Sequence, residues 1–107
     1  MSHHRHTLRD AIVDAQAKAA GWPPPEREYR FYNSRRYRSD YAWIGESVAL
    51  EVQGGIWRKK GGAHTGTGHL RDMEKLNLAQ TQGWTVLQLT PQQVENGELE
   101  KWLRKLA

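Results

Sequence analysis

The 107-residue chain predicts an α/β sandwich, in the order helix, three antiparallel strands, helix, strand, helix. Three observations carry that prediction. Two runs, Arg38 to Trp43 and Ser47 to Val52, alternate with the period of two that marks half-buried strands. The segments around them repeat apolar residues at helical spacing and begin with capping signals. Trp84 to Leu89 is a mostly apolar run suited to a buried sheet position.

Thr7-Leu8-Arg9-Asp10 has the form of a capping box with an acid at its fourth position. A first helix is therefore expected from about Leu8 to Ala20, with Leu8, Ile12, Ala15 and Ala19 on its inner stripe and Gly21 as its stop. Trp22-Pro23-Pro24-Pro25 then imposes extended backbone, because proline fixes φ and has no N–H to donate. Glu28 to Tyr32 is the expected first strand, closed by the turn-prone Asn33-Ser34.

The next two strands form a hairpin. Gly45-Glu46 suits a two-residue type II′ turn with glycine first. Closing it pairs Trp43 with Val48, Ala42 with Ala49, Tyr41 with Leu50, Asp40 with Glu51 and Arg38 with Gln53. Tyr41, Trp43, Val48, Leu50 and Val52 then share one apolar face. Arg38, Asp40, Ala42, Ala49, Glu51 and Gln53 share the other.

Gly54 to Gly68 is the longest irregular stretch and holds six of the ten glycines. Within it Arg58-Lys59-Lys60 stand beside Trp57, a pattern that suits either phosphate contact with base packing or a solvated basic loop. A second helix is expected from His69 to Gln82, with Leu70, Met73, Leu76, Asn77 and Ala79 or Gln80 inward and Gly83 as its end. After the strand at Trp84, Thr90-Pro91 reads as a cap followed by the first residue of a short turn through Val94. Gly97 to Leu106 closes the chain as a helix with Leu99, Trp102, Leu103 and Leu106 inward. A single domain over residues 1–107 is expected, with 1–7 as a flexible start.

Composition narrows the function classes. With no cysteine, neither a disulfide framework nor a thiolate zinc site can form. No apolar run approaches the roughly eighteen residues of a membrane-spanning helix, and Ser2-His3-His4-Arg5-His6 does not lead into a signal-like stretch. A cytoplasmic protein with no membrane partner is expected. Sixteen Lys and Arg against twelve Asp and Glu give a net charge of +4, which favours a polyanionic partner. Between Arg27 and Lys60 eight basic residues face four acidic ones, so this segment alone carries the whole surplus of four.

Asp40 and Glu51 are the candidate chemistry. Like charges directly opposite on paired strands are destabilising. A divalent cation would remove that cost, since hard Mg²⁺ is held by one or two carboxylates with water and substrate phosphate completing its shell. The pair therefore implies a metal-dependent phosphodiesterase site. His64 and His69, five apart across Gly66 and Gly68, lack further ligands for zinc.

The ordered set Arg38-Ser39-Asp40-Tyr41-Ala42, Ala49-Leu50-Glu51-Val52-Gln53-Gly54-Gly55, His64, Asp72-Met73-Glu74-Lys75-Leu76-Asn77 and Gly83-Trp84-Thr85-Val86-Leu87 resembles the PD-(D/E)XK nuclease superfamily. It is most similar to small phage-type endonucleases related to the virus-type replication-repair nucleases and the very-short-patch repair endonucleases. The resemblance implies a restriction-endonuclease-like α-β-β-β-α-β core, a mixed sheet flanked by helices, here with an extra C-terminal helix. It also implies Mg²⁺ or Mn²⁺ on Asp40 and Glu51, DNA as substrate, and a bacterial or phage-infected cell as the setting. Cutting two strands with one site per chain implies a homodimer.

Where this family usually has lysine two residues after the glutamate, this chain has Gln53. Three readings follow. Gln53 orients the attacking water through its amide; Lys75, on a stripe with His69 and Asp72, swings its ammonium into the place; or the protein binds DNA without cutting it. Glu28 reads either as a water-mediated metal contact or as an exposed glutamate. His64 reads either as a group near the scissile phosphate or as a loop histidine, and Asp72 at most as an outer neighbour of the site. Arg35, Arg36, Arg38, Arg58, Lys59 and Lys60 are the candidate DNA contacts, with Arg38 nearest the reacting phosphate.

Overall fold

A computed structural model describes residues 6–30, 37–53 and 66–107. Its elements are α1 (Leu8–Ala19), β1 (Glu26–Arg30), β2 (Arg38–Trp43), β3 (Val48–Val52), α2 (Gly66–Thr81), β4 (Thr85–Leu89), α3 (Pro91–Glu95) and α4 (Glu98–Leu106). The strands form one sheet in the order β1-β2-β3-β4. The first three are antiparallel neighbours, and β4 lies parallel to β3. A parallel neighbour needs a crossover connection, and α2 lies within it.

One face of the sheet carries the main core. Val13 and Ala17 of α1, Val94 of α3, and Leu99 and Leu103 of α4 pack with Tyr41, Trp43, Val48, Leu50 and Leu89. This is the apolar face that the hairpin alternation predicts, with Val52 packed partly buried at its margin. The opposite face is thinner. There Ala79 of α2 meets Ala49 and Tyr37, with Tyr29, Leu78, Trp84 and Val86 partly buried around them. Small residues on both sides of that contact let helix and sheet approach closely.

The tryptophans tie the main core to its rim. Trp22 meets Trp43 edge-on at 5.9 Å between ring centres. Each indole N–H donates to a carbonyl, Trp22 to Leu103 at 3.1 Å and Trp43 to Pro23 at 2.7 Å. Buried indoles of this kind combine a large apolar area with one satisfied polar handle. Capping boxes start two helices, Thr7 with Asp10 for α1 and Thr90 with Gln93 for α3.

Several local expectations are corrected. The buried stripe of α1 is Asp10, Val13 and Ala17, whereas Leu8 is 78 % exposed. Ile12 of the expected stripe packs partly buried against the core, and the buried Asp10 accepts the Tyr41 hydroxyl on the same face. The hairpin connection is a 3-10 turn at Ile44–Glu46 with Ser47 left-handed at φ 57°, instead of a type II′ turn. A right-handed turn followed by one left-handed residue also matches strand twist. β1 begins at Glu26, because the register with β2 recruits Glu26 opposite Ala42.

α2 begins at Gly66 rather than His69, so residues 66–68 belong to a helix and not to a loop. Leu70 and Met73 of α2 are exposed, as are Trp102 and Leu106 at the margins of α4. Their spacing is helical, but they are covered only in part, Trp102 and Leu106 more than Leu70. Among the described residues no helix is long and apolar enough to cross a membrane.

Candidate functional site

The sheet places its acids in one transverse row. β2 and β3 pair at Trp43–Val48, Ala42–Ala49 and Tyr41–Leu50, the couples the hairpin predicts. The ladder stops there; the same register carried one step further would set Asp40 opposite Glu51. β1 and β2 pair at Arg27–Tyr41 and at Tyr29–Ser39, but not at the intervening Glu28–Asp40 couple. Glu28 itself is left-handed, with φ 54°. On the other side Glu51 pairs with Gln88 of β4. Both interrupted couples are acid against acid, an unfavourable juxtaposition on a ladder, although the like-charged Arg30–Arg38 couple is paired.

Protein donors balance these charges. Glu28 takes the Arg38 guanidinium at 3.4 Å, on open surface. Asp40 accepts the backbone N–H of Val52 through Oδ2 at 2.7 Å. Glu51 Oε2 meets the Lys75 ammonium at 2.6 Å, and Glu51 Oε1 accepts the Gln53 amide at 3.2 Å. The same ammonium donates to the Arg38 carbonyl oxygen at 2.6 Å. Lys75 thus bridges β2 and β3 from α2, at the point where the two strands stop pairing.

This ion pair is shielded. The side chains of Lys75 and Glu51 are 21 % and 13 % exposed. Glu51, Gln53, Asp72, Lys75 and Gln88 line a cavity of about 20 Å³, enough room for a single water. Asp40 instead borders a wider cleft of about 440 Å³ with Arg9, Asp10, Arg27, Glu28 and Tyr41. Deep in that cleft the Tyr41 hydroxyl donates to the buried Asp10 at 2.6 Å. Burial, and then the hydrogen bond to Asp10, push the Tyr41 hydroxyl well above its ordinary value.

Glu51, Gln53 and Lys75 are therefore brought together, with Asp72 on the same cavity. Both residues weighed for the missing lysine stand on one carboxylate. Asp40 is on the adjacent strand, one residue along from the last paired couple. Arg35, Arg36, Arg58, Lys59, Lys60, His64 and Trp57 lie outside the described residues, as does the side chain of His69.

Two neighbours escaped the sequence reading. Gln88 reaches the row through a parallel register, which no local pattern announces. Asp10 was accounted for by its capping role, which concealed its second role as the buried acceptor for Tyr41.

The donor set suits a hard cation. Glu51 Oε2 and the Arg38 carbonyl already converge on one positive charge, with Asp72 on the same cavity, whereas Asp40 borders the other cleft. Oxygen donors of this type fit Mg²⁺ or Mn²⁺. No group of three or more His, Cys, Asp or Glu side chains that could hold a metal ion occurs among the described residues. Water, carbonyl or substrate oxygens would therefore complete the shell of such an ion.

Comparison with known proteins found no matching family model, no matching curated protein and no matching solved structure.

Proposed function

We propose that this chain is a Mg²⁺- or Mn²⁺-dependent DNA endonuclease built on a restriction-endonuclease-like core. The observation that carries the reading is the Lys75 ammonium held at 2.6 Å on Glu51, beside Gln53 and one residue beyond the last paired couple of the hairpin. An acid and an amide from the end of β3 and an ammonium from α2 converge on one cavity that has room for a water. The basic surplus between Arg27 and Lys60 supports a polyanionic substrate.

In this reading Asp40 and Glu51 would hold the ion, which would lower the pKa of water and offset charge on the phosphate. Gln53 orients the attacking water through its amide. Lys75 lends its ammonium to a phosphate oxygen as negative charge builds there. Arg38, half exposed on the same strand as Asp40, grips the backbone of the substrate. A pair of subunits about a two-fold axis would serve both strands of a duplex or a junction. Work in phage recombination or repair is part of the same proposal.

A second reading is favoured by one observation: both Glu51 oxygens already have protein donors. On that basis the chain binds DNA without cutting it. A supercoiled plasmid and a four-way junction incubated with Mg²⁺ or Mn²⁺ separate the two. Cleavage by the parent that is lost in Asp40→Ala and in Glu51→Gln is the expected result. Tight, salt-dependent binding with no cleavage by the parent would overturn the enzyme and leave the binding module.

A further inference from the structure

The Lys75 ammonium sits where oxygen donors from two strands converge, on the carboxylate that the metal-dependent reading gives to the ion. Its partners there are Glu51 Oε2 and the Arg38 carbonyl, each at 2.6 Å. The remaining Glu51 oxygen is occupied by the Gln53 amide. Two cations cannot share one carboxylate oxygen at these distances without strong repulsion, because the charge–charge energy at about 4 Å reaches several kcal/mol when water is largely excluded. The seat is shielded, as the low exposure of both side chains indicates.

We propose that Lys75 is a tethered competitor for the cation seat on Glu51: a divalent ion binds there only when the ammonium is displaced. This deepens the metal-dependent reading and rests on it. Displacement frees the ammonium from both partners while its Cα stays on α2. The released group then stands within a side chain's length of the ion's substrate ligands. The seat is filled by a proton-bearing nitrogen before the ion arrives, and the carboxylate is never left as an uncompensated charge, a state that is strongly destabilising in a shielded site.

The test reads metal binding, not turnover. Mn²⁺ is titrated into the parent, Lys75→Met, Lys75→Gln and Glu51→Gln, with free ion followed by paramagnetic resonance and folding checked by circular dichroism. Binding about tenfold tighter, or more, in the Lys75 variants and lost in Glu51→Gln is expected. Binding by the Lys75 variants alone, with none in the parent, also supports the competition.

Equal or weaker binding in the Lys75 variants overturns the competition yet leaves the metal reading standing. No binding by any protein overturns both. Because a Lys75 variant can fail to fold, the parent is also titrated with Mg²⁺ while the Lys75 ammonium nitrogen is followed by NMR. A shift and loss of protection against solvent exchange is expected. An ammonium signal that stays unchanged as Mg²⁺ saturates a site removed by Glu51→Gln sinks the proposal.

Discussion

The two faces of the sheet differ in what holds them. On one, three helices bury large side chains, among them Leu50, Leu99 and Leu103, which have no exposed surface. On the other, a single helix meets the sheet through Ala49 and Ala79, and beyond that contact lie Glu51, Gln53 and Lys75. More fully buried apolar side chains lie on the first face, and the polar constellation stands beside the smaller of the two clusters. From α2 on this face the Lys75 side chain reaches the backbone of β2 at Arg38.

The largest expected effect tests this division directly. Leu103→Ala should cost about 2–5 kcal/mol in urea unfolding, the range for truncating a buried leucine. Leu78→Ala, partly buried on the thin face, should cost about 1 kcal/mol, since only part of its side-chain transfer energy is lost. Equal costs would break the comparison.

Next comes the ion pair. Lys75→Met alone leaves a shielded carboxylate without its cation and should destabilise by about 1–3 kcal/mol, less than for a fully buried pair because both groups retain some exposure. Adding Glu51→Gln should restore most of that loss. A double variant no more stable than the single one would show that the pair is not coupled.

The smallest effect concerns pH. Tyr41 holds its proton more tightly when folded, through burial and the Asp10 contact. The unfolded chain loses that proton first, near the ordinary tyrosine value of about 10, so fewer protons are bound unfolded than folded above it. Stability from this group is complete below that pH and falls as pH rises beyond it, by at most about 1.4 kcal/mol per unit. Tyr41→Phe should flatten that alkaline slope in urea titrations. An unchanged slope would remove Tyr41 as its source.

Much of this was legible in the chain, and what was not has a common cause. The hairpin register followed from period-two alternation across a short connection, where local sequence decides pairing. The turn type did not, because several connections serve the same register. Lys75 was visible as a helical residue at a suitable spacing from Asp72, yet its choice of partner depends on how closely α2 approaches the sheet. Leu70 and Met73 have the spacing of a buried stripe and remain exposed. Periodicity says which residues share a side, not whether anything covers it. On α1 the buried line runs through Asp10, Val13 and Ala17, one position round from the expected stripe, of which Ile12 packs partly buried against the core.

One consequence belongs to β1. An outermost strand offers unpaired amides and carbonyls on which a foreign chain can nucleate cross-strand growth. Glu26, Arg27, Glu28 and Arg30 crowd that margin with charge, and the left-handed residue in its middle breaks the straight run of hydrogen-bonding groups. The kink that interrupts the acid row also spoils the template that fibril formation would require.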